Sequence, residues 1–402
     1  MEEYNKIEIQ HICSNICSGG TPKSTVMEYY GGNIPWLNTK EINFSCIYET
    51  EKTITDEGLN NSSAKWIPAN SVIVAMYGAT AGKTAITKIP LTTNQACCNL
   101  TINPVKADYR FVYYALYNDY SHLASLANGG AQQNLNAQQI KEFEIPFPPL
   151  KEQKRIANFL SSIDDKIELN RRINDNLEQQ AQALFKSWFV DFEPFRGGEF
   201  VDSELGLIPK GWRVVSLGEV TKQITEKVGN REDVTVLSPI NSGELVLSEE
   251  YFTKQVFSKD LSKYLIVNPL SFAYNPARIN IGSIGLNTFD FVGCVSPIYV
   301  VFECEPNYQY FFDFFKRTAM FKDEVALRAI GGVRQSLGYN DLSLIKTIYP
   351  TSDVVVEFNN LYLKMKEVMI KNTDQNEKFI SLRDSLLPKL MSGELKINEF
   401  NC

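Results

Sequence analysis

Two long stretches of the chain repeat apolar residues at alternating intervals of four and three. In the first, Ile156, Leu160, Ile163, Ile167, Asn170, Asn174, Leu177, Ala181, Leu184 and Trp188 follow that rhythm, a period of 3.5 residues held for more than four heptads. A repeat sustained over that length is the mark of a coiled-coil seam. Moving on by 202 residues gives Phe358, Tyr362, Met365, Met369, Asn372, Asn376, Phe379, Arg383, Leu386 and Leu390, a second copy of the stripe with both asparagines in place. Polar residues inside a seam weaken it but fix its register. Matched asparagines therefore favour the two helices packing on each other over two amphipathic helices lying on separate cores. Antiparallel packing predicts a pseudo-two-fold with one globular unit at each end of a spacer of roughly 55 Å. The second helix is less regular: Arg383 stands where the first has Ala181, and Pro388 should end or kink it near Leu387.

The 202-residue offset extends beyond the helices. Gly129-Gly130-Ala131-Gln132-Gln133-Asn134-Leu135 is echoed by Gly331-Gly332-Val333-Arg334-Gln335-Ser336-Leu337, and Pro148 by Pro350, each proline closing a strand-like run (Phe143 to Pro148, Ile345 to Pro350). Such self-similarity means a duplicated architecture. Each copy also carries β-rich runs, Ser71 to Tyr77 and Ala96 to Ile102 in the first, Tyr264 to Tyr274 and Cys294 to Phe302 in the second. Helical patterns follow, about Tyr109 to Ala127 and Tyr308 to Ala329. Glycines and prolines from Phe192 to Lys210 mark a linker. The expected fold class is α+β: two globular domains of mixed strands and helices, separated by two long helices packed as an antiparallel coiled coil. The boundaries are 1–150 for the first globular domain and 151–191 for the first helical region. Linker and second domain fill 192–350, and the second helical region is 351–402.

Composition narrows the class. The 402 residues are 44% hydrophobic and 22% charged, enough to bury several cores without disulfide or metal staples. No apolar run approaches the roughly 18 residues of a membrane span, and the start of the chain does not read as a signal peptide, so a cytoplasmic protein is expected. Eight cysteines with no C-x-x-C pair read as reduced thiols. His11, Cys13 and Cys17 lack a partner pair at zinc-site spacing, so no metal is expected. The net charge is −7, and none of the four segments is net basic, so a nucleic-acid partner would have to be met by local clusters or through other proteins.

Gly78-Ala79-Thr80-Ala81-Gly82-Lys83-Thr84 resembles a phosphate-binding loop but has three residues between its glycines where four are needed, and strand rather than helix follows. Asn275-Pro276-Ala277-Arg278 resembles part of an amino-methyltransferase motif without its second proline or its aromatic. A nucleotide hydrolase or a DNA methyltransferase built on these residues is the alternative reading. Asp164-Asp165-Lys166 reads as a solvated helix face. Polar, planar loop residues remain: Gln132, Gln133, Arg334 and Gln335 at equivalent turns, and Lys83, Thr84, Asn94, Gln95, Arg278 and Asn280 in neighbouring loops. Arg, Asn and Gln read base edges in pairs of hydrogen bonds, while Lys and Thr suit phosphates, so these ten are the candidate DNA contacts. No catalytic residue is assigned.

The run from Leu184 through Trp188, Phe189, Asp191, Phe192 and Pro194 to Phe195 resembles the central conserved region of the specificity subunits of type I restriction-modification enzymes. So do Gly32 to Leu37, Pro148 to Ala157, Ile208 to Trp212, and Leu382 to Leu395. The resemblance spans essentially the full length, although the first copy lacks the Pro-x-Gly-Trp entry seen at Pro209 to Trp212. It implies a non-catalytic subunit in which each recognition domain reads one half of a split double-stranded DNA target. The helix pair would set the gap and dock two modification (methyltransferase) subunits. S-adenosylmethionine would sit on those partners, and ATP and Mg on restriction (translocase and nuclease) subunits, with no cofactor in this chain.

Overall fold

The computed structural model describes residues 4–127, 134–252, 257–328 and 336–397. The chain folds into two compact units, one of Met1–Arg171 with Asn372–Cys402, the other of Arg172–Lys371. Two helices dominate, Leu150–Phe189 and Ser352–Ser392, and each contributes one half to each unit. No helix among the described residues is long and apolar enough to cross a membrane.

In the first unit a five-stranded sheet runs in the order Cys13–Ser18, Cys97–Ile102, Val72–Ala75, Thr84–Thr87, Ser45–Ile47. A smaller sheet places Tyr30–Leu37 between Lys52–Ile54 and the parallel strand Thr92–Thr93. Lys6–Glu8 pairs with Glu144–Pro146 beside the start of the first long helix. The second unit repeats this plan. Thr221–Ile224, Val300–Cys304, Phe272–Tyr274 and Ile284–Leu286 form its main sheet, and Thr235–Pro239 pairs in parallel with Gly293–Val295 in the other. Arg213–Ser216 against Lys346–Tyr349 matches the strand pair of the first unit. Even a backbone exception recurs: Asn70 and Leu270, each one residue before the serine that leads into an equivalent strand, have φ of 64° and 62°.

Within each unit the long helices run antiparallel. In the first, Asp164 meets Arg383, while Asn170 and the Ile167 carbonyl meet Asn376. In the second, Asn174 donates to the Met369 carbonyl at 3.0 Å and Phe185 packs on Phe358. The seam residues are placed accordingly. Ile156, Leu160, Ile163, Ile167, Asn170, Phe358 and Asn376 are buried; Asn174, Leu177, Leu184, Met365, Asn372, Phe379 and Leu386 are half-buried. Near the end of the first helix burial shifts from Leu184 to Ala181, Phe185 and Phe189, a step of four, because the Phe311 and Phe314 rings of the second body cover that face.

Three expectations from the sequence need correction. Pro388 does not end the second helix, which continues to Ser392. Its missing amide falls on an exposed turn, while Leu387, Leu390 and Met391 bury on the opposite face and hold the last turns in place. The two body helices are each broken, into Tyr109–Asn118 and Tyr120–Ser125, and into Gln309–Phe315 and Ala319–Arg328. Thr318, whose hydroxyl accepts from the Phe321 amide, restarts the last of these. The run Tyr264 to Tyr274 is two strands, Leu265–Val267 and Phe272–Tyr274, separated at the left-handed Leu270.

Thiols line the first core. Burial pushes Cys13 and Cys98 up to about 12, and Cys294 in the second unit to about 11. These thiols therefore stay protonated in the folded chain well above their ordinary 9, and the stabilisation this implies is lost as pH rises from 9 through the folded values. At pH 8.5, alkylation of Cys13 and Cys98 followed by mass spectrometry should proceed only on unfolding. Phe358, fully buried among Phe185, Phe189 and Phe314, offers a second check. Phe358→Ala should cost about 3–5 kcal/mol in denaturant titration.

Candidate nucleic-acid interface

One end of the five-stranded sheet gathers most of the polar loop residues of the first unit. Met76 donates its amide to the Ala96 carbonyl at 2.8 Å, which brings the start of the Tyr77–Lys83 loop beside Asn94 and Gln95. The Phe44 amide reaches the Thr84 carbonyl at 2.9 Å, adding Asn43 to the same end. Gly19 and Gly20 let the next turn approach closely: a Cβ on Gly20 would lie 2.2 Å from the Ala64 amide nitrogen. The Trp36 indole N–H holds the Gly20 carbonyl at 2.9 Å and the Tyr30 hydroxyl holds Pro22 at 2.7 Å, which places Thr21 against Gln95.

The candidates in this unit differ in availability. Gln95 is exposed, and its carboxamide oxygen accepts from the Thr21 hydroxyl, so the amide is oriented before any ligand arrives. Lys83 is half-buried, donates to Asn43 Oδ1 at 2.7 Å and lies 5.9 Å from the Phe44 ring centre. Asn94 works inside the turn. Its oxygen accepts from Ala96 N and Cys97 Sγ, and its nitrogen donates to Asn38 Oδ1 at 3.3 Å. Thr84 is a correction: it opens the strand Thr84–Thr87 with no exposed surface, so it is out of reach of a phosphate. The loop ahead of it is a short 3-10 turn, Gly78–Thr80, and no helix N-terminus follows Lys83 to cradle a nucleotide. Thr21, Asn43 and the exposed Tyr77 belong to the same end and were not singled out from sequence. In the sequence, the glycines and proline of Gly19-Gly20-Thr21-Pro22 mark the turn that carries Thr21.

The second unit presents the equivalent end. Arg278 and Asn280 are exposed on the loop between Phe272–Tyr274 and Ile284–Leu286. Gly282, at φ 95°, lets that loop pass within 2.6 Å of the Asn241 carbonyl, measured from where a Cβ would stand. Beneath it the buried Lys316 ammonium donates to the Gly243 and Ile284 carbonyls and to Asp313 Oδ1, at 2.5, 3.1 and 2.7 Å. Burial pulls that amine down, and Asp313 opposes the shift. Asn275 takes the Ala277 amide at 3.0 Å, a turn-forming role. Ile281 and Ile298 are exposed nearby.

One backbone bond ties the two ends to the repeat: Leu135 donates to the Met76 carbonyl at 2.8 Å, and Leu337 to the Pro276 carbonyl at 3.0 Å. The chain thus returns to the base of each loop at Leu135 and Leu337, the last residues of the two repeated sequence motifs. Gln132, Gln133, Arg334 and Gln335 themselves lie outside the described residues. Among the described residues no group of three or more His, Cys, Asp or Glu side chains is placed to hold a metal ion. The surface offers amide, hydroxyl and a few cationic groups, the functional groups that contact base edges and phosphates.

Residues 1–179 match the family model described as type I restriction modification DNA specificity domain. The MjaIX specificity subunit of Methanocaldococcus jannaschii, a type I restriction enzyme component, is 29% identical over 96% of this chain and 92% of its own. The HindI specificity subunit of Haemophilus influenzae is 23% identical over 69% and 74%. In structure, the S subunit of a type I restriction-modification system from M. genitalium aligns over 96% of both chains with a TM-score of 0.57 at 18% identity, which shows a shared fold. With its duplicated plan and paired long helices, the chain is similar over nearly its full length to the specificity subunits of type I restriction-modification systems.

Proposed function

We propose that each unit reads one half of a bipartite DNA sequence through the loop end described above, and that the helix pair sets the unspecified gap between the halves. The observation that carries this is the repetition of one loop end in both units, anchored by the same backbone bond at Met76 and Pro276. A duplicated reader suits a two-part target, as two half-sites suit a two-fold protein. The chain supplies no reacting group of its own in this reading. Two modification subunits dock on the helices and bring S-adenosylmethionine and the methyltransferase chemistry, and restriction subunits bring ATP and Mg for translocation and cleavage. The net charge of −7 supports this division, because DNA affinity grows with the number of phosphates neutralised and the cations of this chain are outnumbered by its carboxylates. Its partners would complete the basic clamp.

Mapping methylated sites in cells that carry the chain and its modification partner tests the assignment. Gln95→Ala should relax one or two base positions of one half-site, and Arg278→Ala positions of the other, each by about 1–3 kcal/mol of discrimination. Changes in both half-sites from a single variant would argue against separate readers. Inserting four residues after Asn170 lengthens the first helix by about 6 Å. It should alter the accepted gap and leave both half-site sequences as they were.

A further inference from the structure

The seam holds one residue that its repeat does not explain. Arg383 occupies the position of Ala181, and Ala181 is fully buried in the second unit, where a small side chain satisfies the packing. Arg383 is itself only 9% exposed, and a guanidinium at a seam position has to be fully engaged to be tolerated. It is. Nη1 donates to Asp164 Oδ1 on the first long helix at 2.8 Å, and Nη2 to the Tyr117 hydroxyl of the first body at 2.9 Å. Nε reaches Asp384 Oδ1 at 2.9 Å, and the group stands 5.0 Å from the Tyr117 ring centre. From the same body, Tyr114 donates to the other Asp164 oxygen at 2.6 Å. One node therefore joins the first body to both long helices with directional bonds.

The second unit makes a like connection from different residues. There the cation comes from the body: Arg317 donates to Glu178 on the first long helix and to Asp313 at 2.7 Å. Lys366 of the second helix lies 5.2 Å from the Tyr310 ring centre. An oriented ionic link between body and helix pair is thus present twice, with no common residue to account for it by duplication alone.

We propose that Arg383 is a positioning residue for target spacing: it holds the first recognition body at one orientation on the helix pair, so that a single gap between half-sites is accepted. The planar guanidinium suits this role because its donors are fixed relative to one another, unlike those of a lysine. The inference rests on the functional reading above. It separates from a purely structural role by its readout: a loss of stability lowers modification at every gap alike, whereas a loss of directional constraint raises modification at the off-length gaps relative to the preferred one.

The test uses the full chain with its modification partner and a library of target sites whose gap varies by one base pair either way. In Arg383→Met the half-site sequences should stay the same, and modification at the off-length gaps should rise about tenfold relative to wild type, the equivalent of one charge-assisted hydrogen bond. Arg383→Lys should restore part of the selectivity. A folded Arg383→Met with the wild-type gap profile overturns the proposal. Should that variant fail to fold, Tyr117→Phe, which removes one hydroxyl and keeps the Arg383–Asp164 pair, decides by the same readout: a broadened profile supports the proposal and an unchanged one overturns it. A wild-type chain with no two-part target sinks the functional reading and this inference together, whereas unchanged gap profiles in the variants sink the inference alone.

Discussion

The contact on which the rest depends is the antiparallel pairing of the two long helices, and within it the polar layer at Asn170, Asn174 and Asn376. Asn170 donates to Asn376 at 2.9 Å, Asn376 to the Ile167 carbonyl at 3.3 Å, and Asn174 to the Met369 carbonyl at 3.0 Å. These three cross-helix bonds form at this register. A slip by one turn would break these bonds, and each buried amide left unpaired costs about 1–3 kcal/mol. Apolar seam residues supply attraction but tolerate sliding; the asparagines remove that freedom.

Each body is built outward from its share of the pair. Ile156, Leu160, Leu387, Leu390 and Met391 lie in the same core as Phe111 and Tyr114 of the first body. Phe185, Phe189 and Phe358 lie in the core of Phe311 and Phe314 in the second. Aromatic rings dominate the second core, with Phe189 5.1 Å from Phe311 and Tyr308 stacked on Tyr349 at 4.1 Å. Ring pairs of this kind add about 0.5–1.5 kcal/mol beyond the area they bury and prefer particular angles, so they orient as well as bind. Directional contacts thus recur wherever a body meets a helix.

At the opposite extreme, the loop ends rely on close backbone approach rather than on burial. Gly20 against Ala64, Gly282 against Asn241, and the Lys316 ammonium across two carbonyls hold loops that have little core of their own. Loops held in this way carry Gln95, Arg278 and Asn280 exposed. Variation at those exposed positions would leave the cores untouched.

The sequence by itself determined the duplication, the two helices and their mutual seam, because a 3.5-residue period and a constant 202-residue offset are properties of spacing alone. It also determined which loops flank the repeated turns, and so where Lys83, Gln95, Arg278 and Asn280 would fall. Only the tertiary structure decided which candidates are exposed. Thr84 and Asn94 have the same chemistry on paper as their neighbours, yet one is sealed in a strand and the other is tied into its own turn. Pro388 and Arg383 follow the same rule. A proline stops a helix unless the far face is buried, and an arginine disrupts a seam unless carboxylates and a tyrosine stand around it. Periodicity is local and can be read along the chain; burial and partnership depend on residues hundreds of positions away, and only folding brings them together.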